Sequence, residues 1–256
     1  MLKIFGRLSY TVLIFLITIS CSLQDTATEP ANKYSLDLIA EYSINVSEPS
    51  GLTYDENTQT LWTVSDKDNK IYQLNLEGEV INVLPFIGED LEGIAYDFIS
   101  NSLWIVEEEN RNLINISMEG NLISRYVHII SGQDNSGLEG ICITQSGTIF
   151  IIKEKNPSLF IELNSNVSSE ESIEMNISDD LSGICYDRMR QSFWLVSDKS
   201  EKLFLWNKTE GIKFEFDLNY DKFEGIYYIE QENNIYIVND EKNKLYYYKL
   251  INNGSA

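Results

Sequence analysis

The chain has 256 residues, with 19 Lys and Arg against 40 Asp and Glu, for a net charge of −21. That balance excludes a phosphate-backbone partner, which needs a basic footprint, so no nucleic acid is expected. It also excludes adhesion to anionic lipid by charge alone. A single histidine, His128, argues against a Ser-His-Asp triad and a multi-histidine zinc site.

The N-terminus reads as a targeting segment. Lys3 and Arg7 precede an uncharged run from Tyr10 to Ile19. That run is far shorter than the roughly 20 apolar residues that span a bilayer as a helix. Ser20-Cys21 closes it and resembles the lipobox of bacterial lipoproteins, with Thr18 where Leu is usual. Residues 1–20 are therefore expected to be a signal peptide, with Cys21 as the acylated (palmitate-type) first residue. An ordinary secretory peptide with an incidental cysteine is the alternative. Removing residues 1–20 takes away Lys3 and Arg7, two positive charges, and leaves −23. Attachment then falls to acyl chains, of which two or more anchor stably. Residues 21–32 are polar, contain Pro30 and read as a tether; residues 33–252 read as one domain. Six N-x-S/T sequons, at Asn45, Asn115, Asn166, Asn176, Asn207 and Asn253, read as chance in an Asn-rich chain behind a lipobox.

The domain opens with a strand expected over Tyr34–Ile44. A repeat follows. Ser50-Gly51-Leu52, Glu92-Gly93-Ile94, Glu139-Gly140-Ile141, Ser182-Gly183-Ile184 and Glu224-Gly225-Ile226 share one pattern, with glycine spacings of 42, 47, 43 and 42. An aromatic follows each glycine after ten or eleven residues: Trp62, Trp104, Phe150, Trp194 and Tyr236. Short apolar runs bounded by Asn, Asp, Gly and Ser predict strands. In the first unit these are Gly51–Tyr54, Leu61–Ser65, Ile71–Asn75 and Val80–Phe86. Four antiparallel strands per unit of this length match a propeller blade. The fifth unit stops after its third strand, near Leu250. The orphan Tyr34–Ile44 resembles a fourth strand such as Ile212–Leu218. The expectation is an all-β, five-bladed β-propeller whose N-terminal strand completes the last blade and removes open edges.

Geometry then places the charges. If the first strand of each blade lines the axis, Glu92, Glu139 and Glu224 start at one mouth. The second strand runs back, so its end delivers Asp66, Glu108, Glu154, Asp198 and Asp240 to the same place. Two carboxylates about 6 Å apart repel by roughly 3 kcal/mol at an effective dielectric near 20. Raised pKa values, nearby Lys153, Lys155 and Lys199, or a bound cation would offset this. Oxygen-only donors suit Ca²⁺. Capping of turns by the same acids is the alternative. The repeated aromatics are expected in inter-blade core, and the glycines at close backbone approaches. Cys142 and Cys185, at one repeat position, are expected as buried thiols.

These motifs resemble the SdiA-regulated (YjiK/CarP-type) family over about Glu48 to Leu250. The segments that carry the resemblance are Leu138-Glu139-Gly140-Ile141, then Ile151-Ile152-Lys153-Glu154-Lys155-Asn156-Pro157, with Asp90-Leu91-Glu92-Gly93, Asp180-Leu181-Ser182-Gly183 and Ile235-Tyr236-Ile237-Val238. The resemblance implies a cell-envelope propeller, a link to calcium response in some members, a loose kinship with phytase-like propellers, and no established catalysis. The functional expectation is a binding or regulatory lipoprotein taking Ca²⁺ or a cationic ligand. A calcium-dependent phosphate-ester hydrolase and a scaffold for an envelope protein are the alternatives.

Overall fold

The computed structural model describes residues 33–127, 129–130, 137–164, 167, 169–178 and 180–254. The expected signal peptide, Cys21, the tether, His128 and Asn166 lie outside them.

All the regular structure among the described residues is strand, in five antiparallel four-stranded sheets. The first blade holds β2 (Pro49–Asp55), β3 (Thr60–Ser65), β4 (Lys70–Leu74) and β5 (Val80–Val83). The second holds β6 (Leu91–Asp97), β7 (Ser102–Glu107), β8 (Asn112–Ser117) and β9 (Leu122–Tyr126). The third holds β10 (Leu138–Ile143), β11 (Ile149–Lys153), β12 (Leu159–Leu163) and β13 (Ser169–Glu174). The fourth holds β14 (Gly183–Asp187), β15 (Ser192–Ser197), β16 (Lys202–Asn207) and β17 (Gly211–Asp217). The fifth joins β18 (Phe223–Ile229), β19 (Asn234–Asn239) and β20 (Lys244–Asn252) to β1 (Tyr34–Ser43). β1 runs antiparallel to β20 from Tyr34↔Asn252 to Ser43↔Lys244. The two ends of the domain therefore share one sheet, as expected. The expected fourth strand of the first blade is shorter than its apolar run. Leu84 still donates its N–H to the Ile71 carbonyl (3.0 Å), but Pro85 has no N–H to continue the ladder.

The inner strands close a ring: β2 touches β6, β6 touches β10, β10 touches β14, β14 touches β18, and β18 returns to β2. The repeated glycines set how closely. A Cβ on Gly183 would stand 2.1 Å from the Glu224 carbonyl oxygen, and one on Gly225 2.3 Å from the Gly51 carbonyl carbon. Gly93 meets the Glu139 carbonyl in the same way, at 2.3 Å. Each inner strand thus lies against the backbone of the next, with no room for a methyl group.

Outside this ring, five apolar clusters fill the five spaces between blades. Trp62, Phe150, Trp194 and Tyr236 are buried in them and Trp104 packs at the edge of another. The aromatics are core, as expected. Cys142 and Cys185 are free buried thiols, and burial pushes both well up from the usual thiol range.

We expect Gly183→Ala to cost about 3 kcal/mol, the upper end for overpacking, because a carbonyl rather than a flexible side chain blocks the methyl. Gly211→Ala should cost only about 1 kcal/mol for its positive φ, since nothing lies within 4 Å of its Cβ position. Urea midpoints of the two variants check this; equal losses would contradict the tight inner ring.

Candidate cation-binding mouth

In four blades the inner strand begins with a β-bulge, and the bulge sets the side chains at the mouth. The register shifts at Ser50/Leu52, Leu91/Gly93, Leu138/Ile141 and Phe223/Ile226. A bulge re-aims the side chain beside it. The residue before each repeated glycine lines one cavity of about 170 Å³ on the axis: Ser50, Glu92, Glu139, Ser182 and Glu224. The acids after the second strands, Asp66, Glu108, Glu154, Asp198 and Asp240, line the same cavity. All eight carboxylates placed there from the sequence are brought together.

The three lysines divide. Lys155 lines the cavity and its ammonium pairs with the Glu154 carboxylate. Lys153 is buried and donates to the backbone carbonyls of Lys155 and Pro157. It braces the following loop rather than facing the mouth, and burial lowers its pKa. Lys199 stands at the outer lip with its side chain 60% exposed and its Nζ 3.9 Å from Asp180 Oδ2.

Sequence reading missed Lys222, Asp180, Glu48 and Asp90. All four occupy the position three residues before a repeated glycine; Gly137 is the fifth. Aligning that column would have found them. Lys222 donates to Asp198 twice, from its backbone N–H at 2.7 Å and its ammonium at 2.9 Å. Asp180 accepts from the Ser197 hydroxyl at 2.9 Å and the Lys199 N–H at 3.1 Å. Gly137 leaves space into which Glu108 folds, and its N–H donates to Glu108 Oε1 at 3.3 Å.

The mouth is therefore uneven. Around the fourth and fifth blades Asp180 and Asp198 are satisfied by backbone N–H groups and Lys222, which is the turn-capping role. Around the second and third blades the carboxylates face one another. Glu108, Glu139 and Glu154 bring one oxygen each within 4.8 Å of one another, and so do Asp66, Asp90 and Glu92. Glu139 is 8% exposed, and its carboxylate stands among those of Glu92, Glu108 and Glu154. Asp240 Oδ1 is buried without a hydrogen-bond partner among the described residues. Burial first, then the neighbouring Glu92 and Glu108, pushes Glu139 well above the carboxylate range. Burial and Glu224 do the same to Glu92. Burial, then Asp240 and Asp198, do so to Glu224. Asp66, Glu108 and Asp240 are also raised, burial being the main cause.

Below this mouth the axis is shut. Leu52, Ile94, Ile141, Ile184 and Ile226 meet there around a void of only about 10 Å³, which is barely one water. The opposite end opens as a separate cavity of about 60 Å³, walled by Tyr54, Tyr96, Tyr186 and Tyr227.

Fold and mouth together define a five-bladed β-propeller with an acidic, oxygen-lined mouth on its axis. The chain belongs to the SdiA-regulated family, whose model matches residues 25–176. No curated protein matches it in sequence. Among solved structures it is similar to Myxococcus xanthus glutaminyl cyclase, at 13% identity and TM-score 0.65, covering 84% of this chain and 96% of that one. It is similar to virginiamycin B lyase from Staphylococcus aureus, at 17% identity and TM-score 0.52, covering 84% and 71%. A gluconolactonase from Xanthomonas campestris is similar at 10% identity and TM-score 0.58, covering 82% and 88%. Likeness at these identities concerns the fold alone.

The raised carboxyls make stability depend on pH. Their folded pKa values lie above the unfolded value of about 4.3 for Glu. The folded state therefore holds extra protons, and the stability this gives is full below about 4.3 and lost as pH rises through the raised values. In chelator, melting temperature should fall from mildly acid to neutral pH. Glu139→Gln, which keeps the shape without the charge, should flatten that fall and raise the neutral midpoint by about 2–4 °C per kcal/mol relieved. A wild-type melting temperature that rises over this range would contradict the assignment.

Proposed function

We propose that this protein is a non-enzymatic, envelope-anchored lipoprotein whose propeller binds Ca²⁺, or a cationic ligand that replaces it, at the acidic mouth. Glu139 carries the reading: its carboxylate is buried and stands with those of Glu108 and Glu154, one oxygen from each within 4.8 Å of the others. Ca²⁺ binds oxygens at 2.3–2.6 Å, so ligands to one ion lie within about 5 Å of each other. The trio Glu108, Glu139 and Glu154 meets that limit with one oxygen from each side chain. The neighbouring trio Asp66, Asp90 and Glu92 extends the same surface. With neither histidine nor thiolate in either trio, the donors favour a hard cation.

Lys155 serves as the built-in counter-ion in this scheme. Its ammonium pairs with Glu154 and is drawn further by Glu108 and Glu139. A metal ion entering the trio displaces it. Phosphate-ester hydrolysis draws no support from this geometry, because the mouth's lysines, Lys155 and Lys222, are held by carboxylates and an anion would meet Glu92, Glu139 and Glu224. Cys21 supplies the anchor through acyl chains, as the charge of the chain requires.

Calorimetric titration of the soluble protein with Ca²⁺, alongside thermal melting, tests the reading. We expect saturable heat and a rise in melting temperature. Glu139→Gln should weaken binding at least about tenfold, or about 1.4 kcal/mol. Lys155→Gln should tighten it, a change of opposite sign that general loosening of the fold would not produce. Absence of heat and of any melting shift at millimolar Ca²⁺ would refute the metal site.

A further inference from the structure

The two mouths lie on opposite faces, and the chain enters the propeller on only one of them. Every inner strand runs from the acidic mouth toward the tyrosine-walled cavity: β2 begins beside Ser50 and ends beside Tyr54 and Glu56. In the fifth blade β18 runs the same way, β19 returns, and β20 runs out again. β1 is antiparallel to β20, with Tyr34 opposite Asn252. Tyr34 therefore stands on the tyrosine face, and Ser43, opposite Lys244, on the acidic face.

Resting on the lipoprotein reading of Cys21, we infer that the propeller sits with its tyrosine face toward the lipid bilayer and its acidic mouth toward the aqueous compartment. Residues 22–32 separate Cys21 from the domain. Eleven residues reach at most about 36–40 Å, and only when fully extended. β1 is 10 residues long and so climbs about 33 Å from one face to the other. To turn the acidic mouth to the bilayer, the tether would have to run nearly straight along the whole height of the blade. With the tyrosine face down it needs no such extension.

Surface composition is compatible with this orientation. Exposed glutamates occur on both faces, Glu56 and Glu210 among them on the tyrosine face, so charge does not choose between them. The tyrosine face also presents Phe98, Ile99 and Met189, exposed by 50%, 60% and 77%, in the turns after two inner strands. Such side chains are suited to the apolar side of the headgroup boundary. Comparable exposure occurs on the acidic face at Ile87 and Val127, so apolarity does not choose either; the length of the tether does. The consequence is functional. The acidic mouth draws its cation or cationic ligand from solution, and the tyrosine cavity samples the membrane surface.

Spin labelling of the full-length, acylated protein on vesicles of phosphatidylethanolamine and phosphatidylglycerol tests this. Nitroxides are placed at Phe98→Cys or Met189→Cys on one face and at Lys67→Cys on the other; Cys142 and Cys185 are buried. Intact mass first establishes whether Cys21 is acylated. We expect the ratio of oxygen to aqueous-nickel accessibility to be several-fold higher at 98 and 189 than at 67. Acylated protein with equal ratios, or with the higher ratio at 67, overturns the orientation and leaves the anchor intact. An unmodified Cys21 overturns the lipoprotein reading and the orientation with it. Two labels on the tyrosine face guard against a local effect of either substitution.

Discussion

Contact between neighbouring inner strands, backbone against backbone, is the constraint on which the rest of the structure depends. Glycine at one place in each repeat allows it. That contact sets a narrow axis, closed at the waist by five aliphatic side chains. It leaves no room for the residues before the glycines to spread apart. Their carboxylates are crowded because the ring is small, and the ring is small because a methyl group is missing five times. β1 then completes the last sheet, so the ring needs no exposed inner edge.

Crowded carboxylates have few ways to lower their energy, and this mouth uses three of them in different sectors. Asp180 and Asp198 accept backbone N–H groups and ammonium donors. Lys155 neutralises part of the charge beside Glu154. Glu92, Glu139 and Glu224 hold protons more tightly than ordinary carboxyls do. In the function proposed above, a cation takes the place of the third device at the trio Glu108, Glu139 and Glu154. The unevenness of the mouth thus follows from which blades carry Ser rather than Glu before the glycine, and from Lys222 standing where Glu48 and Asp90 stand in other blades. The structural role and the proposed binding role divide the same ring between them.

Much of this was legible in the sequence. Gly51, Gly93, Gly140, Gly183 and Gly225 keep their type because sterics permit nothing larger, so the repeat is visible. The aromatics keep theirs because the inter-blade spaces need bulk. Tyr34–Ser43 was recognisable as a displaced fourth strand because outer strands share an alternating, half-exposed pattern. The column holding Glu48, Asp90, Gly137, Asp180 and Lys222 was not, because no single residue type is needed there. Backbone geometry, with positive φ at Glu48, Asp90 and Lys222, unites three of the five instead. Nor did spacing separate Lys153 from Lys155. One ends strand β11 and turns onto carbonyls; the other stands in the loop and meets the mouth. The path of that loop decides, and sequence pattern does not encode it.

The account rests on carboxylates forced together by the closed ring. Direct titration of the glutamate carboxyls by NMR, in metal-free protein labelled at those carbons, tests it most plainly. A small set of signals assigned to Glu92, Glu139 and Glu224 should change protonation well above the range of the surface glutamates and return to ordinary behaviour on unfolding. If every glutamate in the folded protein titrates in the ordinary range, the mouth is not crowded as described, and the case for a cation there falls.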